Sequence, residues 1–147
     1  MAVTAYFFDK FYLHLFAGEV DIEAVEIKCM MTTVSFVPIQ ATHEFRSSVT
    51  NEVAGTAYTA GGKIVTSVAA TLASHVIKID ADDVEWATST IPNARIGVLY
   101  VNTGSSATDV LIGFVDFGED LSSVGVAFKI IWDATFGVMS HTIGSPT

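Results

Sequence analysis

From Gly18 onward the chain alternates between apolar and polar residues. In Val25-Glu26-Ile27-Lys28-Cys29 the two kinds take turns. Successive side chains of an extended backbone point to opposite faces, so this stretch is a strand with one face buried. Residues 25–33 read as such a strand, with Val25, Ile27, Cys29 and Met31 on one side. The pattern recurs in residues 75–80, where Ile77 and Ile79 oppose Lys78 and Asp80, and in residues 126–133, where Phe128, Ile130 and Trp132 oppose Lys129 and Ile131. Residues 64–71, rich in β-branched side chains, and residues 95–101, 110–117 and 138–143 also read as strands, and Val84 with Trp86 opens a short one. Turn signals separate them: Gly61-Gly62, Asp82-Asp83, the breaker Pro92-Asn93, a small-residue loop at 102–109 and a turn at 118–123. Gly113, inside a strand, marks a close approach of backbones. Seven or eight short strands spaced by roughly 8–12 residues predict an antiparallel β-sandwich, Greek-key or jelly-roll-like, in a mainly β chain. With 147 residues, a single domain spanning 1–147 is expected.

The beginning of the chain has a different period. Phe7, Phe8, Phe11, Tyr12 and Leu15 recur at spacings of three and four, which predicts one short N-terminal α-helix over about residues 4–17. Thr4 is its expected N-cap and Gly18 its stop. Asp9 and Lys10 interrupt the apolar stretch and no basic segment precedes it, so a signal peptide is not expected. No apolar run reaches the ~18 residues that a membrane-spanning helix needs.

Charge narrows the partners. The formal net charge is −9, and the seven basic residues are scattered. A nucleic-acid partner is therefore not expected, because phosphates are held chiefly by Lys and Arg. The lone cysteine, Cys29, leaves no intrachain disulfide and reads as a small buried hydrophobe.

Candidate chemistry is sparse. Asp80, Asp82 and Asp83, with Glu85 and Trp86 beside them, form an acidic turn that could meet a ligand or cation. The twelve-residue calcium-loop pattern is absent, and a solvated turn explains the same residues. Asp116, Glu119 and Asp120 form a second acidic group of the same kind. His14, His43, His75 and His141 lack metal-site spacing. No G-x-S-x-G elbow occurs, and Gly61-Gly62-Lys63-Ile64 lacks the end of a phosphate loop. Most of the aromatics fall at strand positions that core packing explains. No enzyme, cofactor or metal is expected.

Several segments, taken in order, resemble a group of small structural proteins of tailed bacteriophages. Glu52-Val53-Ala54-Gly55-Thr56-Ala57-Tyr58-Thr59-Ala60-Gly61-Gly62 is similar to their "EV-x-G-x-x-YTAGG" stretch, and Asp80-Ala81-Asp82-Asp83-Val84-Glu85-Trp86-Ala87 to "DADDV-x-WA". Ala94-Arg95-Ile96-Gly97-Val98-Leu99-Tyr100 is similar to their "AR-x-x-V-x-Y" strand. Residues 111–118 and 128–133 look like their last strong strands. The chain departs from the pattern around Cys29-Met30-Met31 and Thr90-Ile91-Pro92.

The resemblance implies a non-enzymatic virion protein, foremost a capsid decoration protein on the particle surface, made in the host bacterial cytoplasm. Its expected partners are the major capsid protein or other virion subunits, and copies of itself, with a trimer the favoured homo-oligomer; no membrane partner is expected. The expected contact surface is the N-terminal helix with the loop 40–51, through Phe7, Phe8, Phe11, Tyr12, His43, Phe45 and Arg46. Deleting residues 1–18 is expected to abolish particle binding and spare a β-type fold. The alternative is a glycan-binding module of a tail fibre or tail tip, with Trp86, Asp82 and Asp83 as its site.

Overall fold

A computed structural model of the chain describes residues 2–144. Its described elements are β1 (Thr4–Phe7), α1 (Asp9–Phe16), β2 (Ile27–Thr32), a 3₁₀ turn (Arg46–Ser48), β3 (Lys63–Val65), β4 (Ala69–Ala73), β5 (Val76–Asp80), β6 (Val84–Val101), β7 (Leu111–Ile130) and β8 (Met139–Thr142). The strands form two antiparallel sheets, ordered β1-β7-β6-β2-β3 and β4-β5-β8. This is the mainly β, sandwich-like architecture with one short helix that the alternation predicts. The β6–β7 hairpin is inserted between β1 and β2, so the first sheet is built by a crossover.

The centre of the five-stranded sheet, β2 with the adjoining parts of β6 and β7, is buried on both faces, and the alternation sorts its side chains. Ile27, Cys29, Met31, Leu99, Val101 and Ile112 point into the core shared with the three-stranded sheet. Met30, Ile96, Val98, Tyr100 and Leu111 point the other way, under Phe8 and Phe36. Cys29 is fully buried, as expected of a small hydrophobe, and burial pushes its thiol up to about 12.

Four local expectations are corrected. Residues 4–7 are a strand, with Thr4 paired to Asp116 and Phe7 to Gly113, so Thr4 caps nothing; the helix starts at Asp9 behind Phe8, without a side-chain cap. A free edge of β7 recruits these residues, which overrides their helical spacing. Residues 64–71 are not one strand. The chain leaves the first sheet after Val65, turns through Ser67 at φ +57°, and enters the second sheet at Ala69. Asp82 holds that crossing by accepting from the hydroxyls of Thr66 and Ser67.

Pro92-Asn93 and residues 118–123 do not end strands. They lie inside β6 and β7, where the ladder slips between Ile91 and Ala94. The two sets of breakers face each other, with Ile91 opposite Ser123 and Ala94 opposite Leu121. Ser123 Oγ takes the Ile91 N–H at 3.1 Å and Ser122 Oγ the Asn93 N–H at 2.9 Å, replacing lost ladder bonds. A proline is tolerated in a strand at such irregularities, which also bend the hairpin.

Gly113 is the close approach expected of it. A Cβ there would lie 2.2 Å from Met139 Sδ and 2.6 Å from the Tyr6 carbonyl oxygen.

Candidate docking surface

The aromatic stripe of the N-terminal segment faces inward. Phe8 and Phe11 have no solvent exposure and Phe7 is buried. Phe7 stacks on Phe11 at 5.9 Å, and Phe8 meets Phe114 at 5.1 Å. Tyr12 is half-buried against His141. These four side chains hold α1 onto the sheet, which corrects their expected place on an outer contact surface. The expected deletion result changes with them: removing residues 1–18 strips β1 from β7 and takes three aromatics out of the core.

His43, Phe45 and Arg46 are half-buried and also turned to internal partners. His43 stacks on Phe36, and its Nδ1 accepts the Ile39 N–H at 3.3 Å; burial lowers its pKa. Phe45 meets His14 edge-on, and His14 bridges Glu19 on one ring nitrogen and Glu44 on the other, so the end of α1 is tied to the loop 40–51. Arg46 donates to Asp109 and lies 5.0 Å from the centre of the Tyr100 ring.

The segment 52–62 closes a polar network beside these residues. Glu52 Oε1 accepts from the Tyr58 hydroxyl at 2.8 Å and from the Gly61 N–H at 2.6 Å. The Tyr58 oxygen accepts the Met31 N–H, and the Tyr100 hydroxyl donates to the Gly61 carbonyl. Gly55 and Gly62 have no room for a Cβ, which would sit 2.1 Å from the Thr90 carbonyl oxygen and 1.9 Å from that of Cys29. The "EV-x-G-x-x-YTAGG" residues are thus brought together by what they hold in place.

The acidic turn does not converge on a point. Asp80 pairs with Lys78 and accepts from the Ala81 N–H, Asp82 takes the two hydroxyls of the crossing, and Asp83 takes the Trp132 N–H and pairs with Lys129. The Trp132 N–H, with Lys129 next, holds Asp83 below the usual carboxylate range. Trp86 is only 3% exposed, between Tyr58 and Phe128. It cannot serve as a glycan platform, which corrects the alternative site. The second acidic group lies within β7, where Asp116 and Asp120 both pair with Arg95. Among the described residues, no group of three or more His, Cys, Asp or Glu side chains is placed to hold a metal ion. No helix among them is long and apolar enough to cross a membrane.

What the surface displays instead is apolar. Leu13 and Phe16 on α1 are 62% and 88% exposed, and Val34, Val37 and Ile39, in the loop after β2, exceed half. That loop packs on the start of α1: the Asp9 N–H donates to the Gln40 carbonyl, and Gln40 Nε2 to the Phe7 carbonyl. A second apolar feature is a groove of about 840 Å³ between β1 and the segment after β7, lined by Val3, Ala5, Phe117, Ile131, Phe136 and Met139. Exposed apolar residues grouped on adjoining elements are the usual mark of a protein-contact surface. The exposed side chains of α1, Leu13 and Phe16, lie off the stripe that the sequence spacing picks out.

No family model, curated protein or solved structure matches the chain.

Proposed function

We propose that the chain is a non-enzymatic structural subunit of a tailed-bacteriophage particle, a decoration protein that docks on the outside of the assembled head. The observation that carries this reading is the set of exposed apolar side chains on α1, Leu13 and Phe16, and on the loop bonded to its start, Val34, Val37 and Ile39. The ordered resemblance to small virion proteins supplies the class of partner, a capsid subunit. Apolar side chains this exposed gain free energy by leaving water against another surface, roughly 25 cal/mol per Å². A site present only on the assembled shell makes that gain conditional on assembly. Binding of many copies then stabilises the shell state by mass action. The net charge of −9 keeps the undocked subunit soluble and gives the outward face an acidic potential.

The test is binding to purified particles, read as copies per particle. Wild-type protein is expected in hundreds of copies, as a shell component requires. Phe16→Asp with Val37→Asp is expected to lose binding at unchanged thermal stability, since both side chains already face solvent. Undiminished binding by the double variant, or a handful of copies per particle, overturns the reading.

A further inference from the structure

From the second sheet we infer that β4 is a self-pairing edge, by which two copies of this chain join antiparallel about a two-fold axis. β4 ends its sheet, with β5 on one side only, and all five of its residues, Ala69–Ala73, are exposed. The usual devices that blunt an edge are missing from the strand: it has no Lys, no Pro and no bulge. Residues 64–77 contain no Asp, Glu, Lys or Arg. In a chain of net charge −9, the strand itself thus sets no like charges against a second copy; the carboxylate seated at the edge is that of Glu23.

The register follows from the backbone. The Ala70 N–H donates to Glu23 Oε1 at 2.9 Å, so Ala70 turns its backbone groups away from β5. Period-two geometry turns those of Leu72 the same way, while Ala69, Thr71 and Ala73 face Asp80, Lys78 and Val76. Placing Thr71 opposite Thr71 of a second copy sets Ala70 opposite Leu72 in both directions. Each of those pairs can exchange both N–H to carbonyl bonds, completing the open edge. Leu72, 65% exposed, then packs over the small Ala70 of the other copy. Its cross-strand neighbour Ile77, also exposed, extends the same apolar face. Glu23 occupies one of the edge donors in the single chain and must release it. A two-fold pairing of this kind is closed at two copies, in contrast to the trimer that the resemblance implies.

Sedimentation velocity on the full chain, over a wide concentration range, tests this without particles and so independently of the capsid reading. A monomer–dimer equilibrium is expected. Leu72→Lys, which places a charge on a side chain already in water, is expected to weaken it by about tenfold or more. Glu23→Ala frees the Ala70 N–H and is expected to tighten it. Hydrogen exchange at Leu72 should slow as concentration rises. A chain that stays monomeric throughout, one that forms trimers, or a dimer indifferent to both variants overturns the inference.

Discussion

Arg46 Nε donates to Oδ2 of Asp109 at 2.6 Å, and the carboxylate it meets has no solvent exposure of its own. Asp109 also accepts from the N–H and the hydroxyl of Thr103, and its carbonyl takes the Arg46 N–H. One side chain thereby pins the loop 40–51 to the loop 102–109. Burial alone raises a carboxyl pKa, but the Thr103 and Arg46 bonds outweigh it and hold Asp109 below the usual range. A folded-state value below the unfolded one stabilises above the unfolded pKa, and that stability is lost as pH falls through the folded value. Asp109→Asn is expected to cost about 3 kcal/mol at neutral pH, the scale for breaking a buried pair. It should also flatten the loss of stability below about pH 4. Denaturant melts across that range check both, and an equally steep acid loss in the variant contradicts the assignment.

Tyr58 and Tyr100 predict behaviour at the alkaline end. Burial, followed for Tyr58 by the Glu52 charge, raises the pKa of its phenol; burial pushes Tyr100 up to about 12 against the opposing Arg46 charge. Groups raised in the folded state stabilise fully below their unfolded value of about 10, and that stability is lost as pH rises through the folded one. Tyrosinate absorbance from these two residues is therefore expected to appear together with unfolding. Tyr58→Phe strands the Met31 N–H and is expected to cost about 2 kcal/mol at neutral pH.

The glycines divide by what surrounds them. Gly62 has φ +78° and a Cβ position 1.9 Å from the Cys29 carbonyl oxygen, whereas Gly104 has φ +91° in open space. Gly104→Ala meets only the backbone penalty, about 1 kcal/mol. Gly62→Ala must also push β2 aside and is expected to cost about 3 kcal/mol or more. Equal melting temperatures for the two variants would contradict this packing.

Trp86 is expected to behave as core. Trp86→Ala should destabilise by about 3–5 kcal/mol through lost contacts with Tyr58 and Phe128. A variant of unchanged stability would return Trp86 to the surface and reopen the glycan reading.

Cys29 makes the simplest check. Its buried thiol is expected to ignore a thiol reagent in the folded protein and to react fully in denaturant. Rapid modification under native conditions would mean that β2 opens locally.

Period-two patterning is a local property, and it was legible. It predicts the side-chain sorting in β2, where Ile27, Cys29 and Met31 share one face, and the buried pair Phe128 and Ile130. Gly113 was legible too, since only a close neighbour makes a missing side chain useful inside a strand. The acidic turn is half legible: its self-contained hydrogen bonding follows from its residues and core packing suits Trp86, but only the enclosure of Trp86 by Tyr58 and Phe128 rules out the glycan alternative.

Whatever depended on a distant partner was not legible. Residues 4–7 carry a helical spacing and become a strand because β7 offers an edge. Pro92-Asn93 and residues 118–123 each carry a turn signal, yet neither turns, because each lies opposite the other and hydroxyls from Ser122 and Ser123 fill the broken ladder. The residues by themselves determined that the chain is mainly β and which side chains share a face, since alternation acts between neighbours along the backbone. Tertiary structure alone decided where strands end, which aromatics are covered and which apolar groups remain in water, since these depend on contacts between residues far apart in the chain.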